Sequence, residues 1–212
     1  MTTELTLIVL GSSVQVIGAL LFAAVLFHFE RRAGRNYLRF WIWSWLAFAI
    51  YTTGSTTSRL LQGSMEVTSM TRVAVSTVSL TAGFLQLIWF LLGTYEFSER
   101  RRLLTRWVLP SCAVAFALGL ALTLAWIDDP AARTERYLAR AGVRSVATGI
   151  AFVLAAIWFA RRSRGAWTLG RALLPVALVL YGLDQTLYFL LGLPINSTVG
   201  GLQRVRLTYG YI

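Results

Sequence analysis

Six long apolar stretches, separated by short arginine-rich segments, constrain this chain more than any other feature of its sequence. Each stretch approaches the roughly 20 apolar residues that a membrane-spanning helix needs. The chain is only 14% charged, whereas a soluble domain carries about 25% charged residues. Because backbone polar groups must be satisfied within a segment that crosses lipid, the pattern predicts an all-α fold, a polytopic transmembrane bundle of six helices.

The apolar stretches also set the expected domain organisation. They predict helices over residues 4–29, 38–61, 71–95, 105–127, 141–160 and 170–193. Residues 1–193 then form one six-helix transmembrane domain. Residues 194–212 are too short and too polar to cross a membrane alone, and we interpret them as an extracytoplasmic loop or tail, or as the start of a seventh helix.

The arginines between the stretches predict the orientation. The segments that follow the first, third and fifth helices are the most basic, with Arg31, Arg32, Arg35, Arg39, Arg100, Arg101, Arg102, Arg106, Arg161, Arg162, Arg164 and Arg171. The opposite segments hold fewer arginines, which are diluted by acidic residues, and Arg59, Arg72 and Arg144 lie nearer the span ends. The positive-inside rule places the first set in the cytoplasm and the N-terminus outside.

Two compositional features refine this location. All 20 basic residues are arginine, which we interpret as the bias of a GC-rich bacterial genome, so the predicted location is the bacterial cytoplasmic (inner) membrane. Tryptophans gather near the proposed cytoplasmic ends, as is typical of membrane interfaces: Trp41, Trp43, Trp89, Trp107, Trp158 and Trp167. The basic residues flank apolar runs, so their placement argues against a nucleic-acid partner.

Polar residues inside the predicted spans give the candidate site. Tyr181, Asp184, Gln185 and Tyr188 follow the spacing of one helical face, and an ionisable residue inside a membrane suggests function. The second helix ends in a polar run that includes Thr52 and Arg59. The functional interpretation is a ligand-binding cavity lined by these six residues. The competing interpretation is polar contact between helices, and an Arg59–Asp184 ion pair is one form of it.

Two further stripes of small and weakly polar residues predict close helix packing, with a cavity lining as the alternative. They are Gly11, Ser12, Gln15 and Gly18 in the first helix, and Ser76, Ser79, Gly83 and Gln86 in the third. The lone His28 indicates an interfacial side chain, since no second strong ligand is near it. No nucleotide, zinc-protease or redox motif is present. We therefore expect no enzyme activity, no catalytic residue, no metal site and no cofactor.

Three segments together resemble the multi-helix membrane input regions of bacterial histidine kinases and diguanylate cyclases. They are RRAGRNYLRFWIWSWLAFAIYTTGS (31–55), FLLGTYEFSERRRLLTRWVLP (90–110) and AIWFARRSRGAWTLGRALLPVALVLYGLDQTLYFLLGLP (156–194). The resemblance implies seven helices, an outside N-terminus and a cytoplasmic output domain. This chain departs from that plan, because it contains six clear helices and no output domain.

The sequence therefore favours a non-catalytic sensor or input module of a signalling protein, which works by shifting between two helix packings. The first alternative is a structural or accessory subunit of a larger membrane complex, and the second is a small transporter. The expected partners are the lipid bilayer and other membrane subunits or a second copy of the chain. A reading frame that continues past Ile212 into a kinase or cyclase would favour the sensor.

Overall fold

Each predicted apolar stretch forms one helix. The computed structural model describes residues 3–61, 66, 68–99, 107–125, 127, 135–136, 138–162 and 169–191. Among these residues there are six α-helices and no strand: α1 Thr3–Ala33, α2 Asn36–Leu61, α3 Met70–Glu99, α4 Val108–Leu124, α5 Val143–Arg162 and α6 Leu169–Leu191. A wide π-type turn, Leu138–Gly142, leads directly into α5. The predicted all-α class is confirmed, and residues 194–212 lie outside the described part.

Helices α1 and α3 run about one turn further than their apolar stretches, because charged residues continue the helix past the lipid-compatible segment. Helix α1 ends where Gly34 adopts a φ of 59° and its N–H bonds the carbonyl of Glu30 at 2.8 Å. Glycine adopts this left-handed conformation without a steric penalty, which is why it commonly ends helices. The Arg39 Nε then donates to Glu30 Oε1 at 2.7 Å and ties α2 to the end of α1.

Length and composition are consistent with a membrane location. Three of the described helical segments are long and apolar enough to cross a bilayer: Thr6–Ala33, Met70–Glu99 and Leu138–Arg162. Two shorter apolar helices accompany them, Val108–Leu124 and Leu173–Leu187. Large apolar side chains point outward, among them Leu10, Val14 and Leu21 of α1, each at least 60% exposed. Lipid is the natural cover for such a surface.

Helix α3 lies at the centre of the bundle. It packs against α2 on one side and against α4 and α5 on others, while α1 packs on α2 and α6 packs on α5. The core is built mainly from small side chains, including the fully buried Ala115, Ala155 and Thr148. Small residues let helix backbones approach closely, which is how helices associate in lipid. The row α1–α2–α3–α5–α6 leaves its first and last helices without extensive contact with each other.

One end of the bundle collects aromatic rings and arginines. Trp41 contacts Tyr37, Phe97 and Phe159 at ring distances of 5.3 to 6.1 Å. Arg162 lies over the ring of Phe97 and donates to the carbonyl of Ser98 at 2.8 Å. This is the end where α1, α3 and α5 finish and α2 begins, and Trp41, Trp107 and Trp158 lie near these helix ends, as predicted. The described residues do not include Trp167, Arg100, Arg101, Arg102, Arg106 or Arg164.

Candidate functional site

A cavity of about 760 Å³ lies between five helices and extends from the middle of the bundle away from the aromatic end. It is lined by the first half of α1, by α2 from Ser44 to Arg59, by the middle of α3, by the first half of α5 and by the middle of α6. The cavity exists because α6 packs on α5 and has no extensive contact with α2. The space between these two helices is therefore enclosed by side chains from both.

The predicted site residues converge on this cavity. Thr52, Arg59, Tyr181, Asp184 and Gln185 all line it. Tyr188 lies on α6 in the predicted register, but its side chain is outside the described part of the structure. Polar residues of the second and sixth helices, which are far apart in the sequence, thus line the same cavity.

The predicted Arg59–Asp184 ion pair does not form. Both side chains are exposed and line the same cavity, but no salt bridge joins them. The physical reason is the separation of their helices, because α2 and α6 have no extensive contact. Each charge is left accessible to whatever enters the cavity.

Arg144 also belongs to this site, although the sequence analysis counted it among the arginines that set the orientation in the membrane. It is the second residue of α5, and its side chain is only 7% exposed. Its Nη2 donates to the side-chain oxygen of Gln86 at 2.9 Å. Its guanidinium carbon lies 3.4 Å from the centre of the Tyr51 ring, in cation–π geometry. Instead of serving only at the span end, the guanidinium lies beside the middle of α3.

Gly83 makes room for this guanidinium. A Cβ atom at position 83 would lie 2.7 Å from Arg144 Nε and 2.9 Å from the Tyr51 ring. Arg144 Nε is fully enclosed there and has no hydrogen-bond partner. The hydroxyl oxygen of Thr52 is likewise buried without a partner. Two lining residues therefore carry polar atoms that the described part of the protein leaves unsatisfied.

Aromatic rings form two walls of the cavity. On one side Trp45, Phe48 and Tyr51 follow each other along α2, with ring centres 5.9 and 6.5 Å apart. On the other side the ring of Phe152 lies 4.7 Å from both Phe90 and Tyr181. Flat apolar faces with a few polar groups among them are typical of small-molecule sites.

The two small-residue stripes have different environments. In α3 the packing interpretation holds, since Ser79 is buried, its hydroxyl bonds the carbonyl of Tyr51 at 3.0 Å, and Gly83 adjoins Arg144. Gln86 packs and also lines the cavity. In α1, by contrast, Gly11, Ser12 and Gln15 line the cavity. The Ser12 hydroxyl accepts a hydrogen bond from Thr56 at 2.7 Å, which joins the walls formed by α1 and α2.

Among the described residues, no three His, Cys, Asp or Glu side chains lie close enough together to hold an ion. His28 is not part of the cavity lining and meets the ring of Phe29 edge-on at 6.3 Å. Glu30, two residues further along α1, accepts a hydrogen bond from Arg39.

Arg144 was not predicted as a member of the site, and Gln86 was predicted as a packing residue with a cavity lining only as the alternative. Arg144 falls at the start of an apolar stretch, where an arginine ordinarily marks topology, and Gln86 falls in a stripe of small residues. The available signal was their position within or beside a span, where an unpaired polar group is costly. Comparisons of the chain with family models, with curated proteins and with solved structures found no match.

Proposed function

We propose that this chain is a membrane-embedded ligand-binding input module of a bacterial signalling protein. The observation that carries the proposal is the convergence of the predicted polar residues of α2 and α6 on one cavity of about 760 Å³. That volume lies within the ~300–1,000 Å³ range of small-molecule sites. The resemblance to the input regions of histidine kinases and diguanylate cyclases supports the same interpretation.

In this proposal the N-terminus is outside, and the basic aromatic end faces the cytoplasm of a bacterial inner membrane. The cavity then extends from the outer side to the middle of the bundle, because it is lined by the first halves of α1 and α5 and by α2 from Ser44 to Arg59. A ligand would arrive from outside or from the outer leaflet. The opposite end would carry the response to the interior.

Signal transfer would proceed through helix repacking. Helix α6 is held mainly by α5, and α1 mainly by α2, so a ligand that touches both outer helices can change their separation. A ligand shifts such an equilibrium only by its difference in affinity for the two packings. A ligand that contacts both α1 and α6 in only one of the two packings has a higher affinity for that packing.

A panel of small molecules tests the proposal by thermal stability. Small carboxylates, amines, alcohols and amides would be added to the protein in lipid nanodiscs, and the unfolding temperature measured for each. A ligand at about 100 times its Kd stabilises the folded state by about 2.7 kcal/mol. We expect at least one class to raise the unfolding temperature of the native protein.

A cavity-filling variant supplies the control. Ser55 lines the cavity, so Ser55→Phe should abolish the shift, whereas Leu118→Phe on the exposed surface of α4 should retain it. No shift with any class, or the same shift in Ser55→Phe, would overturn the ligand-binding function. Solute flux into liposomes through the same cavity would instead indicate a transporter.

A further inference from the structure

Resting on the proposed function, we infer that the ligand is a small organic anion with an aromatic or similarly flat apolar body, and that the guanidinium of Arg144 binds its anionic group. Two guanidinium groups, Arg59 and Arg144, line the cavity together with a single carboxylate, Asp184. Asp184 forms no salt bridge with either arginine. The cavity therefore presents an excess of positive charge that the described side chains do not neutralise.

Arg144 is the stronger anchor because it is buried. A charged arginine inside a membrane span is costly. The hydrogen bond to Gln86 and the contact with the Tyr51 ring offset part of that cost, because both favour the charged guanidinium. The guanidinium can therefore remain in place before any anion binds.

The free donors of Arg144 indicate where the anion would bind. Nε is enclosed against Gly83, and Nη2 bonds Gln86. Nη1 makes no hydrogen bond to a described residue. Because Arg144 lines the cavity, its Nη groups, and not the enclosed Nε, are the donors that a carboxylate, sulfonate or phosphate oxygen there would meet.

The rest of the ligand is defined by the aromatic walls. The guanidinium lies over the face of the Tyr51 ring, and the rings of Phe48 and Trp45 follow Tyr51 along α2. Phe152 and Tyr181 form the opposite wall. An anionic group on Arg144 places an attached apolar body between these two walls, where its contacts with the rings add to the affinity.

Charged thiol reagents test the inference directly. Cys112 is the only cysteine, so a Cys112→Ser, Ser55→Cys protein carries one thiol, on the cavity lining. Its reaction rates with sulfonatoethyl and trimethylammonioethyl methanethiosulfonate would be measured in nanodiscs, each divided by the rate with 2-mercaptoethanol. We expect the anionic reagent to be favoured about tenfold, and most of this preference to be lost in Arg144→Gln, consistent with one charge at short range in a partly wet cavity.

Matched arginine variants separate charge from folding. Arg144→Lys should keep most of the preference, and Arg59→Gln, the same loss of charge at an exposed site, should reduce it less than Arg144→Gln does. The inference would be overturned if the Ser55→Cys protein showed no more preference for the anionic reagent than 2-mercaptoethanol does, or if Arg144→Gln left the preference unchanged. Should Arg144→Gln fail to fold, Arg59→Gln still decides: a preference that persists in it supports binding at Arg144, and a preference that it abolishes overturns the inference.

Two further measurements separate a lipid head group from a soluble anion, and charge preference from simple access. Nanodiscs with phosphatidylglycerol instead of only phosphatidylcholine should slow neutral methyl methanethiosulfonate at position 55 if a lipid head group occupies the cavity, and leave that rate unchanged if the anion comes from water. Neutral methyl methanethiosulfonate reports access alone. Reaction with it but without an anionic preference refutes the anion and leaves the binding cavity intact, whereas no reaction refutes both.

Discussion

Arg144 occupies its buried position because residue 83 has no side chain. Adding a Cβ atom there brings it within 2.7 Å of Arg144 Nε and 2.9 Å of the Tyr51 ring, so both groups must move. We expect Gly83→Ala to lower the free energy of unfolding by about 1–3 kcal/mol, the usual cost of overpacking. Reversible unfolding in mixed micelles, titrated with sodium dodecyl sulfate, measures this change.

Gly18 provides the matched control at the same scale. It lies in α1, and an added Cβ would meet nothing within 4 Å. Alanine forms helix more readily than glycine, so Gly18→Ala should be neutral or slightly stabilising. If Gly83→Ala were as harmless as Gly18→Ala, the guanidinium would not lie against Gly83 and its placement would be wrong.

At the scale of elements, the attachment of α6 depends on one close glycine contact. A Cβ at Gly149 would lie 2.5 Å from Thr186 Oγ1 and 3.1 Å from the carbonyl oxygen of Gly182. Because α6 packs mainly on α5, we expect Gly149→Ala to push the two helices apart and to lose about 1–3 kcal/mol. Spin labels on α5 and α6 report the separation, and the micelle titration reports the stability.

A double-mutant cycle identifies the atoms responsible. Thr186→Ala removes the nearest atom, so the loss caused by Gly149→Ala should be smaller in the Thr186→Ala background. Strictly additive losses would show that positions 149 and 186 are not in contact, and the arrangement of α5 and α6 would then need revision.

The elements themselves were predictable from sequence, whereas their arrangement was not. Apolar length located all six helices within a few residues, because lipid imposes a minimum span. The residues of the α6 face were found because an ionisable group in a span is rare. The Arg59–Asp184 pair was wrong because it required contact between α2 and α6, and helix order in the bundle is set by side-chain fit that no single-sequence period encodes.

The inward position of the Arg144 side chain could not be predicted from the sequence either. Its position at the start of α5 predicted a topological role, but its side chain extends to Gln86 and Gly83 in the middle of α3. Whether an arginine at a span end snorkels to water or turns inward depends on the neighbouring helix. Here Gly83, Gln86 and Tyr51 together provide the space, the acceptor and the ring.

At the scale of the whole molecule, the two ends of the bundle differ in construction. At one end, tilted and edge-on aromatic rings pack together and Arg162 bonds across helices. The cavity lies toward the other end, with polar and charged side chains on its walls. In the proposed input module, the ligand would bind in the cavity and the change in packing would be transmitted to the aromatic end.

If small molecules can enter this cavity, a cysteine on its lining should react with them much faster than a cysteine buried between helices. In a Cys112→Ser background, Ser55→Cys places a thiol on the cavity lining, whereas Ser79→Cys places one in the buried contact of α3 with α2. Methyl methanethiosulfonate, a small neutral reagent, would be applied to each protein in nanodiscs. We expect rapid modification at position 55 and at least tenfold slower modification at position 79. Equally slow modification at both positions would show that the cavity is closed to small molecules.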